Sequence, residues 1–228
     1  MKAALIIPAL NEQETIGALV RRVPRESAAE VIVVDNASTD DTAAVAAAAG
    51  ARIVREPRRG YGAACWAGVS ALPPWVAVAA FLDGDGSQCP EELPRVLEPI
   101  LLGRAGLVLG ARALTSGTHP RHAALGTRLV SAFIRRRYGV AVTDLGPFRA
   151  IRVDLLQRLG MRDRAFGWPV EMVVKAAALG ARIVEVPVTH APRAAGRSKV
   201  SGTLVGTVRA GYGFLSAALR AARDVPAA

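Results

Sequence analysis

Cysteine is nearly missing from this chain: Cys65 and Cys89 are the only two in 228 residues. That is too few for a disulfide framework, and they form no metal-ligand pattern. Aromatic residues make up only 5%, which argues against a protein that stacks bases on a ring-lined platform. No uninterrupted apolar stretch reaches the roughly 18 residues needed to span a bilayer. The short run after Lys2 leads straight into Pro8, so it reads as a buried strand and not as a signal peptide. The three histidines, His119, His122 and His190, are scattered and do not suggest ligands. No G-x-G-x-x-G lies between the first strand and the first helix, as a dinucleotide oxidoreductase requires. The similar run Gly60-Tyr61-Gly62 comes too late and is incomplete; it reads as a helix start or a loop that lets backbone approach a ligand.

What is present is ample core material, with 51% hydrophobic and 21% charged residues, and this implies one folded domain. The charge is unevenly placed. Residues 1–98 hold nine basic and thirteen acidic residues, net −4; residues 99–228 hold twenty and six, net +14. No acidic residue occurs between Glu98 and Asp144 or between Glu185 and Asp224. An arginine-rich genome accounts for the total as well as a function does, but not for the asymmetry. A front half with the carboxylates and a back half with the arginines suggests two tasks, with nucleic acid, an anionic membrane surface or a phosphorylated substrate as candidate partners.

Strands are expected at Ala3–Ile7, Val31–Val34, Arg52–Arg55 and Trp75–Leu82, the first two as continuous apolar runs covered on both faces. Helices are expected at Glu12–Val23, from a cap at Ser38 or Thr39 to Ala49, and at Gly60–Ala71. This alternation implies a mostly parallel sheet with right-handed crossovers, an α/β fold. The later half is less regular: strands at Gly106–Gly110, Phe148–Arg152 and Arg182–Val188, and helices at Leu125–Tyr138, Pro169–Leu179 and Thr203–Arg223. In such sheets ligands bind beyond the carboxyl ends of the strands. The polar groups of the front half fall there, at Pro8–Glu12, Asp35–Asp40 and Asp83–Gln88.

The sharpest motif is Leu82-Asp83-Gly84-Asp85-Gly86, where an apolar strand ends. Two carboxylates two residues apart, with glycine between and after, can turn toward one divalent cation, and hard oxygen ligands suit Mg²⁺ or Mn²⁺ holding a diphosphate. The same letters also make ordinary solvated turns. Likewise Glu12 can be a helix-dipole partner and Asn11 a cap, or, with Asp35, Glu12 can accept hydrogen bonds from a ribose and a base.

Pro8-Ala9-Leu10-Asn11-Glu12, Val33-Val34-Asp35-Asn36-Ala37-Ser38-Thr39-Asp40, Arg59-Gly60-Tyr61-Gly62-Ala63-Ala64 and Asp83-Gly84-Asp85, in this order, resemble the family 2 glycosyltransferases with the GT-A fold. Two later segments, Thr143-Asp144-Leu145-Gly146-Pro147-Phe148-Arg149 and Arg193-Ala194-Ala195-Gly196-Arg197-Ser198-Lys199, resemble the dolichyl-phosphate mannosyltransferase and polyprenyl-phosphate glycosyltransferase branch. The resemblance implies a single domain over 1–228, with a nucleotide-binding half (1–110) and an acceptor-binding half (111–228) that includes the C-terminal helix. It implies that Pro8, Ala9, Asn11, Glu12, Asp35, Asp83, Gly84 and Arg112 bind a nucleoside-diphosphate sugar. Asp83 and Asp85 would hold Mg²⁺ or Mn²⁺. Relatives carry glutamine two residues after the second aspartate; here Ser87 stands there, and Gln88 is the substitute third ligand. Arg128, Ser131, Arg149, Arg193, Ser198 and Lys199 form the expected acceptor and phosphate set.

The implied reaction is an inverting sugar transfer, most readily to a polyprenyl phosphate. A phosphate monoester, with second pKa around 6, is already largely ionised, whereas a hydroxyl acceptor needs a general base. Asp85, Asp144 and Glu171 are the expected catalytic carboxylates, the last two as candidate bases. Asp144 could equally pair with Arg149, and Glu171 could serve as an N-terminal dipole partner. A soluble acceptor is the alternative, and a sugar-phosphate nucleotidyltransferase a weaker one, since the loop after the first strand lacks its glycines and basic residues. A nucleic-acid binder leaves Asp35, Asp83 and Asp85 without a role, so nucleic acid is not an expected partner. The last helix, apolar with sparse arginines, suits packing on the sheet, a second subunit in a homo-oligomer, or an anionic membrane. The expected location is the cytoplasm, peripheral to the inner face of the cell membrane.

Overall fold

In the computed structural model, which describes residues 1–112, 121–194 and 216–224 (main chain only for 121–126), the described residues form seven strands, the most apolar of them covered on both faces. These are β1 (Lys2–Ala9), β2 (Glu30–Asp35), β3 (Arg52–Arg55), β4 (Val76–Phe81), β5 (Leu107–Arg112), β6 (Arg149–Arg152) and β7 (Ile183–Val188). They form one sheet in the order β3-β2-β1-β4-β6-β5-β7. Every pairing is parallel except those of β6, which runs antiparallel to both β4 and β5.

Side-chain alternation divides the core in two. Ile6, Ile32, Val34, Ala79 and Phe81 face a layer built by α3 (Tyr61–Ser70), α5 (Arg121–Tyr138), α6 (Val153–Leu159), α7 (Trp168–Ala178) and a last helix, α8, over 216–224. Leu5, Ile7, Val31, Val33, Val78 and Ala80 face α1 (Ile16–Arg21), α2 (Thr42–Ala48) and α4 (Leu93–Leu101). Each of the fully covered isoleucine, valine, leucine and phenylalanine side chains contributes about 1.5–3 kcal/mol of hydrophobic stabilisation. Because both faces are covered, these strands read as unbroken apolar runs.

The helices differ from expectation where polar contacts override the pattern. Helix α1 starts at Ile16 and not at Glu12, because Asn11 takes a left-handed turn (φ 52°) and the Glu12 amide is bonded to the Thr42 hydroxyl. Helix α2 starts at Thr42, since Ser38 and Thr39 bond to Asn11 and do not cap a helix. The 3₁₀ turn Pro90–Glu92 and helices α4 and α6 were not foreseen, although Leu93, Val96, Leu97 and Ile100 carry the helical spacing and are buried. Most of the helix expected over Thr203–Arg223 lies outside the described residues.

Strand β1 is flanked by β2 and β4, and the chain reverses its march across the sheet between β1 and β4. A crevice opens at such a reversal, beyond the carboxyl ends. Ala9 is in register with Asp35, and Ile6 with Phe81, so the loops after β1, β2 and β4 converge there.

Candidate active site

The turn after β4 is tightly bracketed. The Oδ1 of Asp85 accepts the Ser87 amide (3.0 Å) and the Ser87 hydroxyl (2.6 Å), which fixes the carboxylate, while Oδ2 accepts from the Arg193 guanidinium (3.0 Å). Asp83 points inward. Its Oδ1 is sealed from solvent and has no hydrogen-bond partner. Burial, reinforced by the nearby charge of Asp85, pushes its carboxyl up to about 7, against the opposing pull of the Tyr61 hydroxyl, Arg149 and Arg193. A buried carboxylate oxygen with no donor, two residues from a second carboxylate, fits a hard divalent cation.

Gln88 does not complete that ligand set as expected. It is buried, and its Oε1 accepts the Asp83 amide (3.2 Å), so its oxygen shapes the turn from within. Among the described residues no group of three His, Cys, Asp or Glu side chains is gathered for a metal. A cation held by Asp83 and Asp85 would keep positions that Mg²⁺ or Mn²⁺ commonly fills with water and substrate phosphate.

The loops after β1 and β2 are zipped together. The Asn11 amide donates to Ser38 Oγ (3.0 Å), its Oδ1 accepts the Thr39 amide (2.8 Å), and the Glu12 amide donates to Thr42 Oγ1 (2.8 Å). Gln13 and Asp41 add a further bond at 3.0 Å. Burial raises the Asp40 carboxyl, but bonds from the Thr42 hydroxyl and amide outweigh it and hold the group below its ordinary range. The Asp35 carboxylate lies at the end of β2 and accepts the Ser38 amide (3.1 Å). Pro8 and Ala9 end β1 beside it, and the Gly84 carbonyl accepts the Thr15 hydroxyl (2.8 Å), joining the acidic turn to the first loop.

Two residues that sequence reasoning left without a role support this floor. Buried Asn36 donates from Nδ2 to the carbonyls of Glu56 (3.0 Å) and Arg58 (2.7 Å) and accepts the Gly60 amide (2.8 Å). It thus ties the end of β2 to the start of α3. Tyr61 follows. A Cβ at Gly60 or Gly62 would lie 2.3 Å from the Arg164 carbonyl oxygen or 2.4 Å from that of Asp163. Both glycines are therefore needed for the 163–165 backbone to cap α3, which it does by accepting the Gly62 and Ala63 amides. The run reads correctly as a helix start, but the backbone that approaches is the chain's own. Tyr61, held between them, hydrogen-bonds Asp83, and burial lifts its phenol well above the usual range. The glycine pair was the available signal.

The back half departs further from expectation. Arg112, at the end of β5, grips Asp144 through two parallel bonds (2.7 and 2.6 Å) plus its amide (3.0 Å). Burial raises the Asp144 carboxyl, but Arg112 outweighs it and lowers it below the ordinary range. Asp144 is thus a committed carboxylate, paired with Arg112 and not with Arg149, and is unsuited to act as a base. Glu171 is also committed: it is buried, pairs with Lys175 (2.7 Å) and accepts the amides of Arg162 (2.9 Å) and Asp163 (2.8 Å).

Arg149 is 1% exposed, and its guanidinium donates to the carbonyls of Leu145, Gly146 and Pro169. Its donors face backbone, so it staples the 145–147 loop to α7 and does not meet a phosphate. Lysine cannot serve three carbonyls in that geometry. Arg149→Lys is expected to destabilise the fold by about 2–3 kcal/mol through unpaired carbonyls, read as a lower urea midpoint at constant slope. A phosphate ligand would instead show an undisturbed midpoint and a raised KM. Arg128 is exposed on α5, and the covered Ser131 hydroxyl has no partner. Ser198 and Lys199 lie outside the described residues.

A cavity of about 330 Å³ lies away from the strand ends, lined by Arg162, Asp163, Glu171, Arg220, Arg223 and Asp224 and crossed by the pairs Arg162–Asp224 and Arg220–Asp163. None of the convergent loops reaches it. Among the described residues no helix is long and apolar enough to cross a membrane.

A family model described as glycosyl transferase family 2 matches residues 4–160. An uncharacterized glycosyltransferase of Mycobacterium tuberculosis is 44% identical over 206 residues, covering 90% of this chain and 92% of that protein. The undecaprenyl-phosphate mannosyltransferase of Micrococcus luteus is 35% identical, covering 90% of each. The polyprenol monophosphomannose synthase of Mycolicibacterium smegmatis is 31% identical, covering 89% of this chain and 82% of that one. Among solved structures, glucosyl-3-phosphoglycerate synthase from Mycobacterium tuberculosis, in complex with Mn²⁺, UDP-glucose and phosphoglyceric acid, superposes with a TM-score of 0.77. It is 24% identical, and the match covers 97% of this chain and 80% of that one.

Proposed function

We propose that this chain, which belongs to glycosyl transferase family 2, moves a sugar from a nucleoside diphosphate to the phosphate of a polyprenyl phosphate, with inversion and with a divalent cation at Asp83 and Asp85. The observation that carries the reading is the donorless buried oxygen of Asp83 beside Asp85, at the crevice between β1 and β4. Two relatives above 30% identity are named for undecaprenyl-phosphate and polyprenol substrates. A cation bound there supplies positive charge to the leaving diphosphate. Glu12 and Asp35, at the ends of the zipped loops, would accept from ribose and base. Arg112, oriented by Asp144, presents a fixed positive group at the end of β5.

The acceptor phosphate oxygen attacks the anomeric carbon while the bond from that carbon to the diphosphate oxygen breaks, and the nucleoside diphosphate departs with the electron pair. No proton need move, since the acceptor is already ionised near neutrality. This agrees with the state of Asp144 and Glu171, each held in an ion pair. A soluble phosphorylated acceptor is the second reading. It is supported by the fold likeness to a synthase crystallised with phosphoglyceric acid.

The test is transfer from radiolabelled GDP-mannose and UDP-glucose, with Mn²⁺ or with chelator, to undecaprenyl phosphate in detergent and, separately, to 3-phosphoglycerate. Label is expected in the lipid phase only, and only with metal. Label on phosphoglycerate selects the second reading, and donor hydrolysis without transfer to either overturns both.

A further inference from the structure

We infer that Arg193 is the built-in counter-cation of the acidic turn: in the metal-free protein it occupies the charge position of the divalent ion, and that ion reaches Asp85 only by displacing it. The inference rests on the reading that Asp83 and Asp85 hold a cation. The Arg193 guanidinium donates to Glu12 Oε1 (2.6 Å) and to Asp85 Oδ2 (3.0 Å), joining the loop after β1 to the loop after β4. Because Ser87 already holds Asp85 Oδ1, the oxygen left for a metal is the one Arg193 bonds. A Mn²⁺ or Mg²⁺ ion binds oxygen at about 2.0–2.2 Å. Two positive charges cannot share that oxygen at such distances without strong repulsion.

The arrangement is also incompletely satisfied. Arg193 Nε is buried with no partner, while Asp83 Oδ1, in the same turn, receives no donor. A cation able to serve both carboxylates relieves the second defect and frees Arg193 to leave the first. The arginine rides on a segment laid along the turn: the Ala191 amide donates to the Ser87 carbonyl (2.8 Å) and the Ala194 amide to that of Asp85 (3.3 Å). Gly86, at φ 73°, carries no side chain where Ala194 passes, and a Cβ there would sit 3.1 Å from that of Ala194. At the other end Thr189 is anchored to Glu92 (2.8 and 3.1 Å). Release of Arg193 therefore loosens residues 191–194 from the turn beyond the His190–Gln88 bridge and the Thr189 anchor. Metal entry and the position of this basic segment become one equilibrium, and the latched fraction lowers apparent metal affinity.

The experiment titrates Mn²⁺ alone, followed by calorimetry and by electron paramagnetic resonance of the free ion, into wild type, Arg193→Gln and Arg193→Lys. Amide hydrogen exchange is recorded over 187–194. Arg193→Gln is expected to bind Mn²⁺ about tenfold more tightly, as expected when a state populated about 90% no longer competes. Arg193→Lys, which keeps the charge but cannot fork across two carboxylates, falls between, and it replaces the glutamine variant if that one fails to fold by circular dichroism. In the wild type Mn²⁺ speeds exchange of the Ala191 and Ala194 amides; in Arg193→Gln they exchange fast without it. Equal or weaker Mn²⁺ binding in the folded variants overturns the latch while leaving the metal reading intact. If neither wild type nor variants bind Mn²⁺, even with UDP or GDP present, the metal reading falls and the latch with it.

Discussion

Asp83→Asn is expected to cut sugar transfer by about 10²–10³-fold in kcat, the usual cost of deleting one main electrostatic stabiliser, and at the same time to make the metal-free protein more stable. Both effects come from one atom. Asparagine keeps the shape and can still accept from Tyr61, but it carries no charge for a cation. In the metal-free wild type that charge is a burden, since burial and Asp85 lift the carboxyl from its ordinary 3.8 to about 7. Between those pH values the folded protein keeps a proton that the unfolded chain has released, so stability falls as pH rises, by up to about 1.4 kcal/mol per unit, and levels off above 7. Thermal unfolding in chelator should show this decline between pH 5 and pH 7 for wild type and not for Asp83→Asn. Mn²⁺ should raise the wild-type midpoint at pH 8 and leave the variant unmoved. An active Asp83→Asn enzyme, or identical pH slopes, would place the cation elsewhere.

Asp83 and Asp85 stand out as candidates because local signals suffice: an apolar run, its end, and two aspartates spaced by glycine. The strands β1, β2 and β4 were equally plain, since coverage on both faces leaves an unbroken apolar stretch. Contacts made across the chain were not. Arg193 meets Asp85 over a separation of 108 residues and Glu12 over 181, and no spacing rule reaches that far. Arg149 stood among the phosphate ligands only because the family resemblance implies it there. Its place as the first residue of antiparallel β6, opposite Phe81 on one side and Leu109 on the other, turns it into the core. That inward position depends on β6 inserting between β4 and β5, which the order of elements does not announce. Gln88 failed as a ligand for a nearer reason: the turn is tight enough for its oxygen to return to the Asp83 amide.

Glu171→Gln should destabilise the protein by about 3–5 kcal/mol, because it leaves Lys175 charged and buried without its partner. Glu171 and Lys175 are 4% and 2% exposed, and among the described residues the Lys175 ammonium finds otherwise only the Gly160 carbonyl (2.8 Å) and, at 3.7 Å, Asp224. Replacing both partners removes the buried charges together, so Glu171→Gln with Lys175→Met should recover most of the loss. Urea unfolding of the two single variants and the double measures this directly. The same set separates a positioning role from a basic one. Glu171 fixes the amides of Arg162 and Asp163, and the next residues of that loop accept the Gly62 and Ala63 amides that hold Tyr61 against Asp83. As a positioning residue it is expected to give a double variant whose kcat, measured well below the unfolding midpoint, recovers together with stability. A general base gives the opposite pattern: kcat lost in Glu171→Gln, undiminished loss in the double, and no link between activity and midpoint.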